Sequence, residues 1–98
     1  MKRVVLLREA RSDLSEARKW YEGQRKGLGK ELLDRVAETL KSISRFPDAF
    51  QRVEGSDARV HLVSGFPYMI LFRVETDRVV VFAVIHTSRD PGVWQSRI

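Results

Sequence analysis

The sequence predicts an α+β fold with the element order β-α-α-β-β-β, in which an αα-hairpin packs on one face of an antiparallel sheet. Two observations lead to this prediction. Two helical periodicities follow one another in the first half of the chain. The second half instead holds short runs of β-branched and aromatic residues around polar turns. At 98 residues, the chain is expected to form a single domain, 1–98, with a modest core.

The helical hairpin is predicted from apolar residues that recur every three or four positions. This spacing covers Ala10–Gln24 and returns over about Gly29–Arg45, with charged residues on the opposite faces. Gly27 lies between them and is suited to end a helix in the left-handed conformation. So short a link makes the two helices antiparallel neighbours. Trp20 and Tyr21, beside the apolar stripe, are predicted to be core residues.

The strands are predicted from apolar runs of four to seven residues bounded by turn residues. The predicted strands are Arg3–Leu7 at an edge, a brief strand at Phe50–Val53, then Arg59–Val63, Tyr68–Val74 and Val79–Ile85. A polar tetrad joins the last two as a β-hairpin.

Both faces of that hairpin are apolar, although an antiparallel strand with one wet face should alternate apolar and polar residues. Strict alternation would put Val81 and Ala83 on the same face. The helical hairpin can cover only one face. Asp90 followed by Pro91 predicts a terminal helical turn carrying Trp94, which could shield part of the other face. A partner is expected to cover the remainder.

Composition narrows the class of protein. The net charge is +5, and 13 of the 18 basic residues are arginine. This excess fits a genome that favours arginine codons, a nucleic-acid partner or an acidic protein partner. There is no cysteine, and two histidines make no metal site without suitably spaced carboxylates, so we expect no metal and no cofactor. The apolar runs are too short for a membrane span or a signal peptide, which predicts a cytoplasmic protein.

A catalytic interpretation and a structural one are both open for several residues. Metal-free RNA cleavage needs a general base, a general acid and cations beside the phosphate. The residues that could supply these functions are Arg59, Arg73, His86 and Arg89, with Tyr68 as the acid and His61 as a second histidine. In the structural interpretation, His86 hydrogen-bonds into the terminal turn, and Arg89 forms a weak local ion pair with Asp90.

Short motifs along nearly the whole chain resemble toxins of the RelE/ParE superfamily, most strongly the ParE-like branch, often called plasmid stabilisation proteins. The matching residues are Ala10, Asp13, Leu14 and Ala17; Trp20-Tyr21-Glu22; Gly27-Leu28-Gly29; Ile43; Phe46-Pro47; Arg59; Phe66-Pro67-Tyr68; Ala83-Val84; His86; Arg89-Asp90-Pro91; and Trp94. Their order and spacing together make the resemblance fairly specific.

The resemblance implies the toxin of a type II toxin–antitoxin system, with the β-α-α-β-β-β fold predicted above. ParE-like members poison DNA gyrase without evident active-site chemistry and are held by a ParD-like antitoxin with an extended, acidic C-terminal arm. RelE-like members are instead ribosome-dependent mRNA endoribonucleases. Many relatives carry a second arginine after the one matched by Arg59, and Val60 stands there in this chain, which argues against the nuclease. A third hypothesis is a degenerate module that binds only its antitoxin.

We therefore predict a toxin that acts by binding and forms a hetero-oligomer with its antitoxin. The antitoxin is expected to lie over Met69 and Leu71 and to pair carboxylates with Arg59 and Arg73, since Arg73 shares a strand face with Met69 and Leu71. Contacts with the target are expected at Arg89 and Trp94.

Overall fold

The computed structural model describes residues 1–98 and has the predicted element order, followed by a terminal helical turn. The elements are β1 Arg3–Leu6, α1 Arg8–Gln24, α2 Leu28–Arg45, β2 Arg59–Leu62, β3 Tyr68–Val74, β4 Arg78–His86 and α3 Gly92–Gln95. No helix is long and apolar enough to cross a membrane. The predicted α+β class and the helical hairpin are confirmed.

The four strands form one open sheet in the order β1-β4-β3-β2. Strands β2, β3 and β4 form an antiparallel meander, as predicted. Strand β1 lies parallel to β4, so the sheet is mixed and the expectation of a wholly antiparallel sheet is wrong at this edge. The helical hairpin separates β1 from the meander and thus provides the long connection that a parallel neighbour requires. The predicted strand at Phe50–Val53 is reduced to a single bridge between Arg52 and Arg59.

The link between α1 and α2 is built around two glycines. Gly27 has φ +91°, the left-handed conformation that the sequence predicted there. The Glu22 carboxylate accepts hydrogen bonds from the backbone N–H groups of Gly27 and Gly29, each at 3.0 Å. A Cβ at Gly29 would lie 2.8 Å from the backbone oxygen of Arg18, so glycine lets the two helices meet closely.

The face of the sheet toward the helices carries the larger part of the core. Its buried members come from both helices, from β3 and β4, and from the turn after β2: Ala10, Ala17, Leu32, Val36, Ile43, Val63, Ile70, Phe72, Val79, Val81 and Val84. The aromatic ring of Tyr21 packs at the edge of this cluster, which confirms its predicted core position in part.

The opposite face of the sheet is covered largely by the chain itself. A second buried cluster there consists of Ala58, Leu71, Phe82, Ala83 and Ile85. Val53 from the segment before β2 and Val93 and Trp94 from α3 pack against it. The predicted lid role of Trp94 is confirmed, whereas the expectation that much of this face is bare is wrong. The cover comes from the segment before β2 and from the single turn of α3, which are too short for periodicity to predict how much of the face they shield.

A β-bulge in β4 decides which side chains face which cluster. Leu71 pairs with Ala83 and Phe72 pairs with Val81, which leaves Phe82 as the extra residue on β4. Val81 therefore joins the helix-side cluster and Ala83 joins the second one. The expectation that these two residues share a face is wrong because strict alternation does not survive a bulge.

Beyond the end of β1, polar side chains take over as hydrogen-bonding partners of β4. The Asp13 carboxylate accepts from the backbone N–H of Val84 at 3.0 Å, and Arg97 donates to the Phe82 carbonyl at 3.2 Å. Arg97 also binds both oxygens of Asp13, at 2.6 and 3.2 Å. This pair thus ties α1, the bulge of β4 and the segment after α3 together.

Candidate functional site

Four aromatic rings line one cleft where α1 crosses the end of the β3–β4 hairpin. We call it the aromatic cleft; its walls are Trp20, Tyr21, Tyr68, His86 and Arg89, and its volume is about 250 Å³. Successive ring centroids are 4.9 Å apart from Trp20 to Tyr21, 6.0 Å from Tyr21 to Tyr68, and 5.2 Å from Tyr68 to His86. All three pairs are edge-to-face, the geometry that aromatic quadrupoles favour.

The polar groups of the cleft have defined roles. The backbone N–H of Ser88 donates to His86 Nδ1 at 3.0 Å, so in this arrangement the neutral ring carries its proton on Nε2. This bond lies within the turn that directly follows β4, whereas the terminal helical turn into which His86 was predicted to bond begins at Gly92. Burial raises the pKa of the Tyr68 hydroxyl, Tyr21 adds to the rise, and the charge of Arg89 opposes it. The Tyr68 hydroxyl therefore stays protonated at neutral pH.

Arg89 is exposed and forms no ion pair in the structure. The predicted ion pair with Asp90 is wrong, because Asp90 Oδ1 instead accepts the backbone N–H of Gly92 at 2.9 Å and caps the terminal turn. The guanidinium is consequently available to an external anion.

The predicted basic residues at the other end of the hairpin have different environments. Arg59 is held within the chain, since it donates to the Phe50 carbonyl at 2.8 Å and lies 3.6 Å from an Asp48 oxygen. Arg73 forms no ion pair, and its guanidinium lies 5.1 Å from the centroid of the Phe82 ring. It borders an open groove of about 700 Å³, here named the Arg73 groove, which is lined by residues 52–57, Arg73 and Ile98.

The structure does not bring the four predicted nuclease residues into one cleft. His86 pairs with Tyr68 at one end of β3, and Arg73 pairs with Val80 near the other end. Tyr68 and Arg73 are five positions apart along β3, which corresponds to about 17 Å at 3.4 Å per residue. Arg59 lies on β2 opposite Phe72, one strand position nearer to His86 than Arg73. Only His86 and Arg89 share a site.

The remaining predicted contact residues are split between surface and core. Met69 is half-buried, but Leu71 is 0% exposed, so the prediction that Leu71 belongs to an open surface is wrong. His61 is half-buried, with its ring centroid 4.4 Å from that of Phe50. Trp94 is half-buried, and its indole Nε1 is buried without a hydrogen-bond partner.

Sequence reasoning misassigned Trp20, which is 58% exposed rather than part of the core. The helical spacing could have indicated this exposure. The apolar stripe of α1 is already complete without Trp20, since it consists of Ala10, Leu14, Ala17 and Tyr21. An aromatic residue next to a complete apolar stripe is thus free to face solvent.

The fold defines a class of small protein in which a helical hairpin packs on a four-stranded mixed sheet. A solved structure described as the chromosomal ParDE TA system from P. aeruginosa shares it, with a TM-score of 0.78 at 17% sequence identity. The match covers 88% of this chain and 96% of that one. No curated protein sequence matches the chain.

Residues 4–91 match the family model described as the ParE toxin of the type II toxin–antitoxin system parDE. The chain belongs to this family and is a ParE-type toxin of a type II toxin–antitoxin system. The resemblance to the ParE-like branch is thereby confirmed, and with it an antitoxin as partner.

Proposed function

We propose that this toxin arrests growth by binding and inhibiting DNA gyrase in the cytoplasm, without covalent chemistry of its own. The observation that supports a binding toxin is the separation of the basic residues that a nuclease would need together. His86 lies about 17 Å along the sheet from Arg73, and Arg89 follows His86 beyond the end of β4. Arg59, the remaining candidate, is engaged by Asp48 and by a backbone carbonyl.

On the antitoxin side, we propose that a ParD-like partner lays its acidic, extended C-terminal arm along the Arg73 groove and over Met69. Arg73 has no carboxylate partner in the chain and is half-buried, so a carboxylate from outside would meet an available and partly desolvated cation. We do not include Arg59 in this proposed surface, because it is already paired with Asp48. We also exclude Leu71, because it is buried.

On the target side, Arg89 and the exposed part of Trp94 remain the proposed contacts. Both follow β4 and lie on the terminal segment, whose last residue, Ile98, also lines the Arg73 groove. Separate surfaces for antitoxin and target would allow one complex to hold both, whereas an arm that reaches the terminal turn would block the target.

A supercoiling assay with purified gyrase tests the proposed target. The toxin should inhibit supercoiling, and prior incubation with its antitoxin should restore it. Unchanged gyrase activity at high toxin excess, with growth arrest still seen in cells, would refute gyrase as the target.

The ribosome-dependent mRNA endoribonuclease remains the second candidate because His86, Tyr68 and Arg89 do share one cleft. In that case, primer extension on mRNA after induction should reveal discrete cuts, mostly within codons. Intact transcripts during growth arrest would eliminate it.

A further inference from the structure

The aromatic cleft presents an exposed aromatic surface that the packing of the chain does not use. Trp20 leaves 58% of its surface open, although burial of so large a ring would contribute to stability. The series of rings continues inward through Tyr21 and Tyr68 to His86. An aromatic wall left open in this way suits a flat ring from outside, since stacking a base on an aromatic side chain contributes about 1–3 kcal/mol.

The polar groups at the inner end of the cleft favour an anion beside that ring. Arg89 is an unpaired cation, and the Tyr68 hydroxyl and His86 Nε2–H are further hydrogen-bond donors. Arginine binds phosphate oxygens bidentately, and such charge-assisted bonds are about twice as strong as neutral ones.

A second hollow of about 210 Å³ continues the cleft along α1. It shares Trp20, Tyr68, His86 and Arg89 with the first and adds Glu16 and Asp13. The charge of Asp13 is matched by Arg97 at 2.6 Å, so Glu16 is the one acidic group there without an ion pair. Its carboxylate can accept a hydrogen bond from the N–H edge of a base.

We infer that the aromatic cleft binds a nucleotide unit, with the base against the aromatic wall and the phosphate at Arg89. The site therefore combines a stacking surface, a phosphate donor set and an acceptor for the base edge. An acidic peptide would use Arg89 and leave the four rings unengaged, so it fits the cleft less well. The unit has two sources, a free mononucleotide or a single-stranded nucleic acid. The inference concerns binding alone and does not depend on gyrase being the target.

Titration of the purified chain with nucleoside monophosphates and with short single-stranded RNA and DNA tests this inference. The nucleoside monophosphate should quench the fluorescence of Trp20, and it should bind at least tenfold more tightly than either the nucleoside or inorganic phosphate. Trp20→Ala and Arg89→Gln should each weaken binding at least tenfold. Phe46→Ala and Arg45→Ala are matched controls: both side chains are exposed, at the opposite end of the helical hairpin, and both variants should bind normally.

The outcomes separate the two sources and can overturn the inference. Tight binding of the monophosphate supports a free nucleotide, while binding seen only with the oligonucleotides supports a nucleic-acid strand. No binding of either, or binding that Trp20→Ala and Arg89→Gln leave unchanged, overturns the inference. A Trp20→Ala variant that loses antitoxin or gyrase binding while no nucleotide binds would assign the cleft to a protein and overturn it as well.

Discussion

At the scale of single residues, Asp13 connects parts of the molecule that are far apart in the chain. Its carboxylate accepts from the Val84 N–H and from Arg97, and its side chain is only 12% exposed. The bulge at Phe82 and the early end of β1 leave backbone groups of β4 without strand partners, and a buried backbone group without a partner is costly. Asp13 and Arg97 supply the missing partners.

Asp13→Ala should therefore lower the free energy of unfolding by about 2 kcal/mol, since it leaves the Val84 N–H and the Arg97 guanidinium without their acceptor. The matched control is Asp34→Ala, which removes an exposed i,i+4 pair with Lys30 and should cost about 0–1 kcal/mol. Urea denaturation of both variants measures the difference. Equal losses would mean that the Asp13 network adds no more than a surface ion pair.

The sequence could not predict this network, because its two side chains are 84 residues apart and the bulge that requires them is local to β4. The residue-scale properties that were predicted correctly are local in the chain. An example is the left-handed conformation of Gly27. By contrast, the exposure of Trp20 and the internal pairing of Arg59 depend on neighbours that only the tertiary fold supplies.

At the scale of elements, the contact between α1 and α2 depends on the absence of a side chain at Gly29. Gly29→Ala would bring a methyl group 2.8 Å from the Arg18 carbonyl, and overpacking of this kind costs about 1–3 kcal/mol. Gly23→Ala is the contrasting variant, because this position in α1 is exposed and has open space around its Cβ. It should stabilise the protein by about 0.5 kcal/mol, because alanine loses less backbone entropy than glycine when the chain folds. Thermal unfolding should therefore shift in opposite directions, and a shift of the same sign would contradict the close approach of the helices.

The same junction predicts a dependence of stability on pH. Hydrogen bonds from the Gly27 and Gly29 N–H groups to Glu22 lower the pKa of its carboxyl below the ordinary value of 4.5. A carboxyl with a lower pKa in the folded state adds stability that is complete above 4.5 and is lost as the pH falls through the folded pKa. Glu22→Gln should therefore show a weaker loss of thermal midpoint on acidification than the parent chain.

The matched control for that experiment is Glu54→Gln, which alters an exposed turn carboxylate without a hydrogen-bond partner. Thermal midpoints followed from neutral pH down to about pH 3 should be parallel for this control and the parent chain. If the profile of Glu22→Gln were also parallel to that of the parent chain, the two backbone hydrogen bonds would not stabilise the charged carboxylate in the folded state.

At the scale of the whole molecule, the periodicity of the sequence was sufficient to predict the class, the helical hairpin and the meander. It was not sufficient to predict the direction of β1, because an isolated apolar run carries no information about its pairing partner. The apolar character of both sheet faces was correctly recognised, but its cover was attributed to a partner. Val53, together with Val93 and the predicted lid residue Trp94, instead provides much of that cover. The surface that we propose for a partner is consequently smaller and centres on Arg73.

This smaller surface leads to a prediction about the affinity of the toxin for its antitoxin. Arg73→Ala should weaken antitoxin binding at least tenfold, about 1.4 kcal/mol, while the toxin stays folded. Removal of one partner from a desolvated pair costs about 2–5 kcal/mol, and from an exposed rim pair about 0–1 kcal/mol. Half-buried Arg73 lies between these limits. Its cation–π contact with Phe82, at 5.1 Å, contributes about 0.5–1 kcal/mol to the free energy of unfolding. The variant should therefore remain folded without this contact.

Calorimetry with the cognate antitoxin distinguishes this arrangement from a general effect of positive charge. Arg45→Ala removes an exposed charge elsewhere and should leave the affinity unchanged. Arg59→Ala removes a side chain that is 20% exposed and bonded within the chain, so it should reduce the free energy of unfolding more than the affinity. An Arg73→Ala toxin that binds as tightly as the parent would place Arg73 outside the interface, and the acidic arm would then have to follow another path across the toxin.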